Sequence, residues 1–128
     1  MEEFNAVNWT AIIVGTIAAF VLGMIWFNQK VFGKKWAEGS NVPEDKEVNM
    51  VLAMGANIIG LFLLALVVGF TQTTEALLTA LAAIFSLAIF TASMGAFAKK
   101  STYAIMVDFG YVVVAGGLMI LAQGIFSM

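Results

Sequence analysis

Asp108 is the residue that most invites a chemical reading, because it is the single charged side chain inside four long apolar runs. Tyr111 follows three residues later, on the same face if the run is a helix. Asn57 lies near the middle of another run, and Ser86, Thr91 and Ser93 add hydroxyls to a third. An acid at membrane depth is costly and faces a bundle interior or a wet cavity. Two roles follow. Asp108 either titrates or holds a cation on a transport path, or it ties its helix to a lysine such as Lys30 or Lys34, or to a Trp26 or Tyr111 donor. The tie is favoured, because one acid without a second charge deeper in the membrane makes a poor relay. Asn57 seeks an interhelical hydrogen bond, with Ser86, Thr91 and Ser93 as candidate partners. Gln123, near the far end of the last run, is expected to reach lipid headgroups.

The residue types that are missing are equally informative. There is no histidine and no cysteine, and all six basic residues are lysine. Ser86 and Ser93 therefore have no imidazole to activate them, and no nucleophile–base pair can be drawn. We expect no catalytic residues and no enzyme. Thiolate and imidazole ligands are absent, so no metal site or cofactor is expected. The eight methionines are scattered and read as packing residues. A net charge of −2 argues against nucleic-acid binding.

The elements that position these groups are legible from composition. Of the 128 residues, 62% are hydrophobic and 11% charged, against roughly 25% charged in soluble domains. The apolar residues fall into runs at 9–27, 50–70, 76–98 and 103–126. Each is close to the ~20 residues that a helix needs to cross a bilayer core. Backbone groups in lipid must be satisfied internally, so the runs read as helices. The expected fold is all-α: one integral membrane domain over 1–128, a four-helix transmembrane bundle. The first run follows an acidic flank, Glu2 and Glu3, and is too long for a signal h-region, so it reads as a retained span. Lys30, Lys34, Lys35 and Lys46 lie between the first and second runs, and Lys99 and Lys100 between the third and fourth. Lysine concentrates on the cytoplasmic side, which predicts both termini on the non-cytoplasmic side. The two halves loosely echo each other, as any four-span chain with basic inner loops does.

The basic loop carries aromatics. Trp26, Phe32 and Trp36 are placed to lie at headgroup level beside Lys30, Lys34 and Lys35. The segment reads as an interfacial anchor contacting membrane lipid; three lysines fall short of the usual headgroup-recognition cluster of about 4–8 basic residues. Ser40 or Asn41 is expected to cap the second spanning helix. Pro43 then suits its first turn, and Glu44, Asp45 and Glu47 complement its positive end.

Small residues recur at helical spacing. Ala11, Gly15, Ala19 and Gly23 put a helix-packing face on the first span. Ala53 with Asn57, and Ala56 with Gly60, do so on the second. Such faces let membrane helices approach closely. The first-span stripe is the foremost candidate for a contact between copies in a homo-oligomer, although the same spacing serves packing within one chain.

The first span opens Asn8-Trp9, closes Gly23-Met24-Ile25-Trp26-Phe27, and exits through Phe32-Gly33-Lys34-Lys35-Trp36; the last run carries Asp108-Phe109-Gly110-Tyr111. This pattern resembles a bacterial family of small four-span membrane proteins, domain-of-unknown-function family 1761. Its members begin with Asn-Trp, end the first helix with Gly-x-x-Trp-Tyr/Phe, and exit through Phe-Gly-Lys-x-Trp. Many of them read Tyr-Ser-Pro where this chain has Phe27-Asn28-Gln29, so that hydroxyl and that proline are absent here. The resemblance implies a multi-pass protein of the bacterial inner membrane and assigns no activity. It marks Asn8, Trp9, Gly23, Trp26, Phe32, Gly33, Trp36 and Tyr111 for attention. The expected function is a non-catalytic, self-associating or accessory component, a homo-oligomer or part of a larger membrane complex. The alternative is an oligomeric transporter or channel with a polar path around Asp108, Tyr111 and Asn57.

Overall fold

Uninterrupted apolar sequence leaves the backbone one economical solution, the helix, and the computed structural model, which describes residues 5–28, 30–40 and 50–126, adopts it along each apolar run. The helices are α1 (Trp9–Trp26), α2 (Gly33–Gly39), α3 (Met50–Thr73), α4 (Leu77–Phe97) and α5 (Thr102–Phe126). No strand occurs among the described residues. By length and composition α1, α3, α4 and α5 are candidate membrane spans. The short α2 follows α1 at the end of the bundle that carries Lys99 and Lys100 at the α4–α5 turn, referred to below as the lysine end.

Local chemistry sets the ends of these helices. Asn8 Oδ1 accepts from the Ala11 N–H at 3.0 Å and starts α1. The α1–α2 connection folds back on itself: the Gly33 N–H donates to Asn28 O at 2.9 Å and the Phe32 N–H to Trp26 O at 3.3 Å. α3 extends to Thr73, past the expected end at residue 70. The polar residues there do not stop it, because the Thr71 and Thr73 hydroxyls donate to the carbonyls of Val68 and Phe70 at 2.8 and 2.7 Å. Glu75 makes the α3–α4 turn at φ 54°, and Lys99 closes α4 at φ 62°, both in the left-handed region. Ser101 then begins α5, its Oγ accepting from the Ala104 N–H at 3.1 Å. Its own N–H donates to Gly39 O at 2.8 Å, which docks α2 on α5. Ser40, expected to cap α3, instead closes α2, its N–H bonded to Trp36 O at 2.8 Å. The expected roles of Asn41, Pro43, Glu44, Asp45 and Glu47 fall outside the described residues, as does Lys46.

The spans do not pack in sequence order. α1 packs chiefly on α5, α4 on α5 and α3 on α1, while α3 and α4 touch little despite the tight turn that joins them. The core sits away from the lysine end. There Ile12, Leu61, Ala65, Val68, Ile84, Ala115 and Met119 interlock. Lipid removes the hydrophobic drive between helices, so close packing and internal hydrogen bonds hold this core.

Gln123 belongs to the same end. It is 2% exposed, with Nε2 against Gly69, and does not reach toward headgroups as its position near the helix end suggested. The Gly69 backbone leaves room for it between α3 and α5.

Candidate functional site

The α1–α5 seam is the rigid wall on which the polar groups are mounted. Ala11, Gly15 and Ala19 are buried in it. A methyl group on Gly15 would lie 3.3 Å from Met119 Cα, and one on Gly23 would lie 2.8 Å from the Tyr111 hydroxyl. The helix-packing stripe on α1 is therefore filled from within the chain. Of the two uses that the spacing allows, packing within one chain is the one seen here, because large residues on α5 fall opposite the glycines. Polar bonds repeat along the seam. Asn8 Nδ2 donates to Phe126 O at 2.9 Å, the Tyr111 hydroxyl to Ala19 O at 2.9 Å, and the Trp26 indole to Val107 O at 3.1 Å.

Asp108 lies one turn toward the lysine end from Tyr111. Its Oδ2 accepts from Lys100 Nζ at 2.9 Å, and its Oδ1 from the Trp36 indole N–H at 2.7 Å. With side-chain exposures of 13% for Asp108 and 23% for Lys100, this is a partly buried, charge-assisted pair. One carboxylate thus ties α2, α5 and the α4–α5 turn. The expectation of a tie is met by different partners from those named. Lys30 and Lys34 are exposed, the Trp26 donor is engaged with Val107, and the Tyr111 donor with Ala19. Lys100 reaches Asp108 from eight residues earlier by laying its stem inward from the turn. The i+3/i+4 rule for helix pairs does not cover that spacing.

The aromatic loop residues turn toward the bundle. Trp26 and Phe32 have ring centroids 4.8 Å apart, Phe27 and Trp36 5.0 Å, and Phe27 and Tyr111 5.3 Å. Trp36, read from sequence as an interfacial anchor, is thereby a structural member of the site. Lys100 Nζ also lies 5.5 Å from the Trp36 ring centre, and Lys35 Nζ 5.5 Å from that of Tyr103, within cation–π range. Gly33 permits the fold-back that carries Trp36 inward, since any side chain there would collide with the Phe27 carbonyl.

Above this ground plan the bundle is split. Residues 51–60 of α3 are exposed apart from the partly covered Gly55, whereas Leu61, Leu64, Ala65 and Val68 are buried. Between the uncovered half of α3 and helices α1, α4 and α5 lies an open cleft of about 730 Å³. Its apolar wall includes Phe20, Met24, Phe27, Met54 and Val112. Its polar lining is Trp36, Asn57, Thr91, Asp108 and Tyr111. A smaller cavity of about 200 Å³ adjoins it and shares Asn57 and Tyr111. The structure thus places Asp108, Tyr111 and Asn57, on two separate helices, around one cleft. It does not bring Asn57 to a hydroxyl of α4: neither Asn57 nor Thr91 makes a side-chain hydrogen bond among the described residues, because the helices stand apart at this level. Among the described residues, no group of three carboxylates could hold a metal.

The sequence matches the family described as protein of unknown function (DUF1761) over residues 10–125. The chain belongs to that family. In this DUF1761 protein the positions marked by the resemblance are mostly seam and tie residues. Asn8 clips α1 to α5, Gly23 admits Tyr111, Trp26 and Tyr111 bond across the seam, Phe32 stacks on Trp26, Gly33 makes the fold-back, and Trp36 holds Asp108. No curated protein and no solved structure matches the chain. Sequence reasoning missed Lys100 as the partner of Asp108 and did not separate Thr91 from Ser86 and Ser93. Lys100 is distinguished only by sitting next to the helix that carries Asp108. Thr91 is one of several span hydroxyls, and only the helix arrangement singles it out.

Proposed function

We propose that this DUF1761 protein is a non-catalytic, self-associating or accessory component of the membrane, and that its working surface is the cleft. One observation carries the reading. The two groups with the most chemistry at membrane depth, Asp108 and Tyr111, are held by partners within the chain, while the cleft beside them stays open. A carboxylate that already accepts from an ammonium and an indole serves as a fastening, and among the described residues it has no nucleophile–base pair beside it. The lysine distribution supports both termini on the non-cytoplasmic side, and the family resemblance supports a bacterial inner membrane.

The transport alternative draws on the polar lining of the cleft. Against it stands the apolar core beyond the cleft, formed by Ile12, Leu61, Leu64, Ile84 and Met119, where the buried polar side chains among the described residues are Thr16, bonded to its own helix at Ile12 O, and Gln123. Purified protein in liposomes separates the two. On our reading Asp108→Asn weakens the fold, and no ion or solute flux is seen with either protein. Flux that Asp108→Asn abolishes while the fold is unchanged would establish transport instead. Light scattering in nanodiscs reads the oligomeric state. The cysteine-free chain also suits sidedness mapping, with Lys34→Cys and Glu75→Cys expected to label from opposite sides.

A further inference from the structure

Three of the polar residues of the cleft share one depth. Asn57 is seven residues into α3, Thr91 six residues before the end of α4, and Asp108 six residues into α5. At 1.5 Å per residue each lies about 9–10 Å from the lysine end. α3 has 24 residues, so it is about 36 Å long and overhangs a ~30 Å hydrocarbon core by only a few Å at each end. The belt therefore falls inside the hydrocarbon layer, several Å below the phosphates. Hydrogen-bonding groups at that depth have no water to turn to, and Asn57 and Thr91 have no partner among the described residues. The charges nearby cancel, since Asp108 faces Lys100 at 2.9 Å. The site offers nothing extra to an anionic head and no free carboxylate to a cation. It does offer an amide, a threonine hydroxyl and the acceptor lone pairs of Tyr111, above apolar walls and in a volume typical of small-molecule sites.

We propose that the cleft binds a lipophile with an uncharged oxygen-bearing head and a hydrocarbon tail, the head bonded to Asn57 and Thr91 and the tail along Phe20, Met24 and Met54. This names the occupant of the surface proposed above and rests on that reading. The ligand enters from the bilayer and is held without chemical change. A hydroxyl head would donate to Tyr111 or accept from Asn57, and an ester carbonyl would accept from Asn57 and Thr91.

Tryptophan quenching by brominated lipids in nanodiscs tests the site, because Trp36 lines the cleft. A Trp9→Phe background removes the emitter at the opposite end. The probes are dibromostearyl alcohol, methyl dibromostearate and dibrominated phosphatidylcholine at equal mole fraction. The expected result is stronger quenching by the alcohol or the ester than by the phospholipid; whichever is stronger identifies a hydroxyl or a carbonyl head. Asn57→Leu and Thr91→Val, made separately, should each weaken that preference roughly fivefold, the worth of one neutral hydrogen bond. Equal quenching by all three probes in the parent protein, or a preference that survives in both variants, overturns the proposal. Flux or turnover of a probe would instead overturn the non-catalytic reading while leaving the binding site intact, so the two failures are distinct.

Discussion

The α1–α5 seam and the α3–α4 gap are made from similar residues and come out opposite. Both α1 and α3 carry small side chains at four-residue spacing, Ala11-Gly15-Ala19-Gly23 on one and Ala53-Asn57 with Ala56-Gly60 on the other. On α1 the stripe is filled: Tyr111 stands in the hollow at Gly23, Met119 covers Gly15, and three polar bonds cross the seam. On α3 the residues at 53, 56, 57 and 60 stay exposed. Small residues allow two backbones to approach; they do not draw them together. In lipid the attraction comes from the side chain that fills the hollow and the hydrogen bond that fixes its position. α5 supplies both to α1, and α4 supplies neither to the lysine-end half of α3.

The contrast can be broken from the seam side first. Gly15→Leu with Gly23→Leu should cost the most, about 3 kcal/mol or more through overpacking, read as a lower midpoint in detergent-induced unfolding. A near-normal midpoint would show that the seam tolerates separation and that the hollows do not matter. Asp108→Ala comes next, at about 2 kcal/mol, because it strands the Lys100 ammonium and the Trp36 indole in a partly buried site. Asp108→Asn should recover part of this by keeping an acceptor for Trp36. Tyr111→Phe leaves the ring in place and removes one bond to Ala19, which should cost about 1 kcal/mol. Asn57→Leu sharpens the comparison from the other side. It touches an exposed, unpartnered group and should move stability by less than about 0.5 kcal/mol. A loss as large as that of Tyr111→Phe would mean that α3 closes on the bundle and that Asn57 is bonded there.

The spans were legible because twenty apolar residues in lipid have essentially one backbone solution, and their observed limits differ from the apolar runs by three residues or fewer. The polar residues that matter were legible for a related reason: a charge or amide in such a run is rare enough to stand out. Their partners were not. Lys30 and Lys100 look alike in sequence, and the choice between them depends on Gly33 folding α2 back and on Ser101 pinning the α4–α5 turn to Gly39. Trp36 reads as one interfacial aromatic among several until that same fold-back carries its indole to Asp108. The cleft was out of reach because it depends on helix order across the bundle. Hydropathy counts helices and says nothing about which neighbours leave a gap.

The antiparallel seam also has a mechanical character. Its rungs join Asn8 to Phe126, Gly15 to Met119, Ala19 to Tyr111 and Trp26 to Val107, so the first rung lies where α1 begins and α5 ends. A pulling force applied through the segments flanking α1 and α5 would meet these rungs one at a time, as in unzipping, and never all together in shear. Single-molecule extraction from both ends should therefore give a low, stepwise force trace that starts at the Asn8 clip. Pulling instead through the α3–α4 turn at Glu75 would leave the seam to the end.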